Sequence, residues 1–232
     1  MTDFQKLVTR LKRHYGEPDR PPAKGPFELV LWENACYLLT DERRAAVFEG
    51  LRRQVGLDPH KILKADRGVL LELARMGGMR PETRVFRWLE IARITVDQFG
   101  GNLDRILVEP YAQAKRALKQ FPNIGDPGAE KILMLCGIAL GLPLEWNGSR
   151  VLVRVGFGRA NPKNYGVQYR SIQEALTGQL PKTADALVRA HLLLRRHGQE
   201  ICHNNGPNCG VCPVVDSCGF PKLRPTYGCR SC

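Results

Sequence analysis

With 232 residues, 43% of them hydrophobic and 25% charged, the chain has the composition of a soluble globular protein, large enough for one sizeable domain or two small ones. Thirty-five Lys and Arg against 23 Asp and Glu leave +12 at pH 7, spread along the chain, which suits a polyanion, either nucleic acid or an anionic membrane. The longest mostly apolar run, residues 132–144, is too short for a bilayer, and the N-terminus lacks a signal peptide's apolar core, so a cytoplasmic, nucleoid-associated protein with reduced thiols is expected.

Taken in order, the pattern is helical throughout. Phe4, Leu7, Val8 and Leu11 mark an amphipathic helix, followed by a connector from Gly16 to Gly25 with three prolines. Helices are predicted over Phe27–Leu39, Asp41–Val55 (capped by Thr40 or Asp41), Arg67–Met76 and Glu82–Phe99, the last stopped by Gly100-Gly101. Pro110–Phe121 and Gly128–Leu140 follow, separated by PNIGDP, then Arg150–Phe157, Ile172–Thr177 and Thr183–His197. No stretch alternates as a strand does, so the fold class is all-α.

Beyond Cys202 the chain is a loop of glycine, proline, asparagine and cysteine. Cys202, Cys209, Cys212 and Cys218 stand as C-x6-C-x2-C-x5-C. Thiolates are strong, soft donors, and four on one short segment can surround a zinc ion or an iron–sulfur cluster. Spacing alone leaves both open. Cys36 and Cys136 sit in apolar surroundings and read as buried structural thiols, whereas Cys229 and Cys232 form a C-x2-C tail without an assignment.

These residues resemble one family. The four-cysteine spacing, led in by His197-Gly198, is similar to the [4Fe–4S] loop of endonuclease III and the adenine glycosylases. Phe121-Pro122-Asn123-Ile124-Gly125 resembles the Leu-Pro-Gly-Val-Gly turn of that superfamily's helix-hairpin-helix, with Asn123 in place of the first glycine. In such a turn the N–H groups opening the second helix bind a DNA phosphate. Asp126 is expected to cap that helix, with Pro127 at its first position. Glu145-Trp146-Asn147-Gly148-Ser149-Arg150-Val151 resembles the family's Asp-x-(His or Asn)-x-x-Arg-Val and begins at the family's distance from Gly125, so Glu145 takes the place of the catalytic aspartate.

The resemblance runs from about Phe27 to Cys218 and implies a two-lobed helix-hairpin-helix DNA glycosylase fold with a C-terminal iron–sulfur loop. A six-helix barrel over 26–136 would hold the hairpin, and 1–25 with 137–232 would form a discontinuous cluster lobe, a DNA groove lying between. It implies a [4Fe–4S] cluster on Cys202, Cys209, Cys212 and Cys218. The implied partner is double-stranded DNA, touched by Asn123, Gly125, Gly128 and Asn147 and bound by a monomer with no membrane role. The implied activity is release of a damaged or mispaired base, with Glu145 as the catalytic carboxylate; a helix-cap acid is its structural alternative. Glu33 lies one residue out of register with the base-protonating glutamate of adenine glycosylases, its alternative being a solvated helix-face acid. Leu38 falls near a residue that probes the duplex, or is a core leucine. The family's Schiff-base lysine position is Pro127, which has no free amine, so β-lyase chemistry by that route is excluded. Because both catalytic positions are altered, the competing expectation is a non-catalytic DNA-binding protein of the same fold.

Overall fold

The computed structural model describes residues 1–36 and 39–220; Leu38, Cys229 and Cys232 lie outside the described residues. The chain is all-helical. In order come α1 (Asp3–Tyr15), α2 (Gly25–Glu33), α3 (Asp41–Gln54), α4 (Pro59–Lys64), α5 (Arg67–Met76), α6 (Pro81–Phe99), α7 (Tyr111–Leu118), α8 (Asp126–Leu135), α9 (Trp146–Arg154), α10 (Tyr165–Leu176) and α11 (Ala184–Glu200). No described helix is long and apolar enough to cross a membrane. The chain divides into two compact units, residues 20–138 and residues 1–19 with 139–232.

The 20–138 unit is built from α2 to α8 around one core that includes Val30, Leu31, Phe48, Leu70, Trp88, Ile91, Leu118 and Ile132. Helix α6 buries Val85, Trp88, Ile91 and Ala92 on one side. Helix α2 ends at Glu33, six residues short of the predicted Leu39. Asn34 caps it and turns its side chain back onto the Val30 carbonyl, Nδ2–O 3.0 Å. Helix α4 was not predicted, although its start carries a legible signal. Asp58 accepts from the Lys61 N–H at 3.0 Å, and Pro59 fills the first helical position. Arg84 is buried and binds backbone carbonyls, Nη1 to Ala74 at 2.7 Å and Nη2 to Met79 at 3.2 Å, so a core arginine here fastens the loop before α6.

The predicted cap of α8 needs correction. Gly125 is the N-cap, with no side-chain cap bond; Asp126 is the first helical residue and Pro127 the second. Lys115 of α7 and Lys119, which caps that helix, hold the Asp126 carboxylate instead. Helix α8 stops at Leu135 and not Leu140 because Gly137, at φ 90°, turns the chain so that the Ile138 N–H reaches the Leu133 carbonyl at 2.9 Å.

In the other unit α1 buries Phe4, Leu7 and Leu11, and Phe4 meets Phe157 edge-to-face at 6.0 Å. Helices α9 and α11 form the centre, with Val151, Leu152, Leu193 and Leu194 buried. Helix α9 begins at Trp146, four residues before the prediction, because Glu145 caps it; α10 begins at Tyr165, where Asn164 accepts from the Val167 N–H at 3.1 Å.

Candidate functional site

The hairpin lies within the 20–138 unit. Phe121 and Ile124 are buried and pin the turn between α7 and α8. Asn123 sits at φ 61°, in the left-handed region that glycine enters freely and asparagine more readily than other side chains. This is why asparagine can stand where the resemblance has glycine. Its Nδ2 donates to Asn34 Oδ1 at 3.1 Å, while Asn34 Nδ2 donates to the Pro122 carbonyl at 3.0 Å. Trp88 Nε1 in turn donates to the Asn34 carbonyl at 3.2 Å. The end of α2 thus fastens the turn, a role for Asn34 that no pattern in the sequence announces. A side chain at Gly125 would meet nothing within 4 Å, so the space beside the first N–H groups of α8 is open. A Cβ added at Gly128 would meet only Ile124, at ordinary contact distance, 3.6 Å from its Cγ2.

Charge around the hairpin is internally balanced. Lys119 Nζ lies 2.9 Å from Asp126 Oδ2, and Lys115 Nζ lies 3.1 Å from Asp126 Oδ1 and 2.5 Å from Glu130 Oε1. Hydrogen bonds from Lys119 and then Lys115 hold the Asp126 carboxyl below the usual carboxylate range. The two lysines lie four residues apart, Lys115 in α7 and Lys119 at its C-cap, a spacing legible in the sequence and not singled out there. Glu33, at the end of α2, is not a solvated acid: its side chain is 17% exposed and Oε2 pairs with Lys131 Nζ of α8 at 2.6 Å. It lines a cavity of about 650 Å³ with Asn34, Asn123, Arg44, Arg80 and Arg87. A carboxylate held against an ammonium accepts hydrogen bonds, and donating one would require protonation against that pair.

Glu145 lies in the other unit, where its carboxylate folds over the start of α9. Oε2 accepts from the Asn147 N–H at 3.0 Å and from Asn147 Nδ2 at 2.8 Å, and Oε1 accepts from the Gly148 N–H at 2.6 Å. The helix N-terminus favours an anion at this position. Asn147 is held from its other end by Arg150 Nη2, at 2.7 Å from Oδ1. That same nitrogen reaches the Gly198 carbonyl at 2.7 Å, and Arg150 Nε reaches the Cys202 carbonyl at 2.7 Å. Glu145, Asn147, Arg150 and the backbone of Cys202 therefore form one hydrogen-bonded series. Burial pulls the Arg150 guanidinium below its ordinary range, and Cys202 works against that.

The four cysteines share one small, apolar cavity with Ile201, Pro207, Val215 and Phe220. Burial, followed by the nearness of the other cysteine sulfurs, holds the Cys212 and Cys218 thiols above the ordinary thiol range. Arg154 Nη1 donates to Cys202 Sγ at 3.2 Å and to the His203 carbonyl at 2.7 Å. His197, fully buried, has Nδ1 2.9 Å from the Tyr15 hydroxyl and Nε2 3.5 Å from Cys212 Sγ. Burial and then His14 bring its pKa down to about 4, so the ring is neutral. Gly198 permits close packing, since a Cβ there would come within 2.7 Å of both Cβ and O of Asn147. The His-Gly pair thus joins the cysteine loop to α9. Among the described residues no group of three or more His, Cys, Asp or Glu is placed to hold a single metal ion. The donor set itself, four soft thiols around a common apolar space with a guanidinium and an imidazole at the sulfurs, fits a thiolate-bound cluster.

No family model matches the chain. It is 26% identical over 183 residues to an endonuclease III of Sulfolobus acidocaldarius, covering 78% of this chain and 76% of that protein. It is 24% identical over 231 residues to a thymine/uracil-DNA glycosylase of Pyrobaculum aerophilum, covering 96% and 94%. The fold matches that of endonuclease III in a non-covalent complex with DNA, with a TM-score of 0.72 at 17% identity over 97% of this chain and all of the other.

Proposed function

We propose that this chain, which belongs to the helix-hairpin-helix DNA glycosylase superfamily, hydrolyses the N-glycosidic bond of a damaged or mispaired base in duplex DNA. The observation that carries the reading is the pairing, in one chain of this fold, of a pinned hairpin having an open helix start with a carboxylate fixed at the start of α9. Asn123, Gly125 and Gly128 form the part that grips a phosphate. Glu145 stabilises the positive charge that develops on the sugar as the base leaves, or directs the attacking water. Asn147 and Arg150 hold it there. Pro127 offers no amine, so water is the nucleophile and the product is an intact abasic site.

Cys202, Cys209, Cys212 and Cys218 would hold a [4Fe–4S] cluster, with Arg154 and His197 beside their sulfurs. When bound, the cluster supplies a four-point crosslink of residues 202–218. Through Arg150 that loop also fixes the start of α9.

One observation favours a second reading, a DNA-binding protein without catalysis. Both Glu145 oxygens already accept hydrogen bonds from the helix start, the arrangement of a structural cap. Incubation with a panel of lesion-bearing and mismatched duplexes decides between them. Base release, with strand scission only after alkali or heat and no adduct trapped by borohydride, is the expected result. Tight binding with no release from any duplex would establish the non-catalytic reading.

A further inference from the structure

Trp146 is the residue next to Glu145, and it is the only one of the three tryptophans left in water: it is 57% exposed, against 7% for Trp32 and 0% for Trp88. Exposed apolar side chains are ordinary when they stand singly and loose. This one is held. Its ring meets Tyr165 edge-on with centroids 4.9 Å apart and planes at 61°. Tyr165 is itself anchored, its hydroxyl donating to the Leu144 carbonyl at 2.8 Å and lying 3.2 Å from Ser149 Oγ. Tyr169 continues the row at 6.1 Å from Tyr165. The anchors, Leu144 and Ser149, flank Glu145 and the first turn of α9. The tryptophan plane is therefore fixed relative to the same helix start that holds the carboxylate.

A flat, rigid aromatic face in water offers stacking to another flat ring. In a protein of net charge +12 the complementary partner that presents such rings is a nucleic acid strand. Arg150 and Arg154 line the same cavity as Trp146 and keep their positive charge while bonding backbone carbonyls, which suits a surface that meets a nucleotide. We propose that Trp146 is a stacking platform for a nucleobase of the bound DNA and positions the nucleotide served by Glu145. The proposal rests on the glycosylase reading for the role of Glu145, and on the geometry around Trp146 for the stacking itself.

The burial pattern supplies the test. With Trp32 and Trp88 shielded, emission that changes on adding DNA and vanishes from the difference spectrum of Trp146→Phe reports on Trp146 alone. The protein is titrated with a duplex carrying a mispaired nucleotide on a 2′-fluoro sugar, which resists cleavage and keeps its base, anisotropy recording binding and tryptophan emission recording stacking. Quenching of Trp146 emission at saturation is expected. Trp146→Leu, which keeps apolar contact with Tyr165 but has no π face, should bind roughly ten- to a hundredfold more weakly, with Trp146→Phe in between. Both should keep the wild-type melting temperature. Unchanged emission at saturating DNA, or wild-type affinity in Trp146→Leu, overturns the proposal. Quenching by an unrelated protein partner and not by DNA would overturn it too. If DNA quenches Trp146 but no base is ever released, the stacking stands and the glycosylase reading falls. If base is released while emission stays flat, the stacking falls and the glycosylase reading stands.

Discussion

Gly198→Ala is the substitution that most directly probes how the cysteine loop is joined to Glu145. A Cβ at 198 would lie 2.7 Å from Asn147 Cβ, 2.7 Å from its carbonyl oxygen and 2.9 Å from its carbonyl carbon. These are backbone or near-backbone atoms, so no rotamer change relieves the overlap, and α9 and α11 must move apart. Overpacking of this kind costs about 1–3 kcal/mol, and overlap with backbone atoms that cannot rotate away puts it in the upper part of that range, about 2–3 kcal/mol. Alanine's better helix propensity returns about 0.8–1 kcal/mol, leaving a net loss on the order of 1–2 kcal/mol. At roughly 2–4 °C per kcal/mol for a chain of this size, the melting midpoint should fall by about 2–8 °C. Gly148→Ala is the control one turn into α9. Its added Cβ would sit at ordinary contact distance, 3.6 Å from Glu145 Oε1, Leu144 Cδ2 and Leu194 Cβ, so propensity alone should act. It should raise the midpoint slightly. Because Asn147 carries two of the donors to Glu145, Gly198→Ala should also slow base release beyond what its lost stability explains. Thermal melts followed by circular dichroism, with release measured well below the midpoint, test both. A Gly198→Ala protein as stable as the wild type would mean that the two helices are not locked as described.

Four further outcomes are expected. Glu145→Gln should cut base release by roughly a hundred- to a thousandfold in a single-turnover assay while leaving duplex affinity nearly unchanged, since it removes charge and keeps size; release at the wild-type rate would leave Glu145 a cap only. Purified protein should be brown with about four irons per chain, and Cys212→Ala should lose both colour and iron; a colourless, folded protein carrying one zinc would replace the cluster. Asp126→Asn should free Lys119 for phosphate, Lys115 staying paired with Glu130, and so tighten duplex binding at low salt and steepen the log–log salt slope by roughly one unit; an unchanged slope would show that the carboxylate does not compete with DNA. Burial, with Asp104 adding to it, pushes the Cys136 thiol up to about 12, so it should resist iodoacetamide at pH 8 in the folded protein and react once unfolded; because the folded thiol titrates above the unfolded one, its contribution to stability is lost as pH rises from about 8.5 toward that value.

What was legible in the sequence follows the reach of each signal. Apolar periodicity and caps are local, so Thr40 before α3 and Gly100 after α6 mark their helix ends as read. The end of α2 is not local in that sense. Asn34 stops the helix while bonding Pro122 on the hairpin, far along the chain, and no window around residue 34 contains that partner. Asp126 shows the opposite error. An aspartate before a helical proline is a good cap by composition, yet Lys115 and Lys119 claim its carboxylate, so tertiary electrostatics overrode the local rule. The cysteine spacing was the strongest chemical signal because the ligands lie within one short loop. The Gly198 beside it could be read only as part of a resemblance, whereas in three dimensions it is the point where α11 meets Asn147 and nothing larger than hydrogen fits. Glu145 stands between these cases. The motif located it, but whether a glutamate there caps or catalyses depends on where its two oxygens lie. All three of their hydrogen bonds come from the first turn of α9, so any catalytic role must be played by a carboxylate already fixed in place by that turn, the kind of preorganisation that stabilising a developing sugar cation requires.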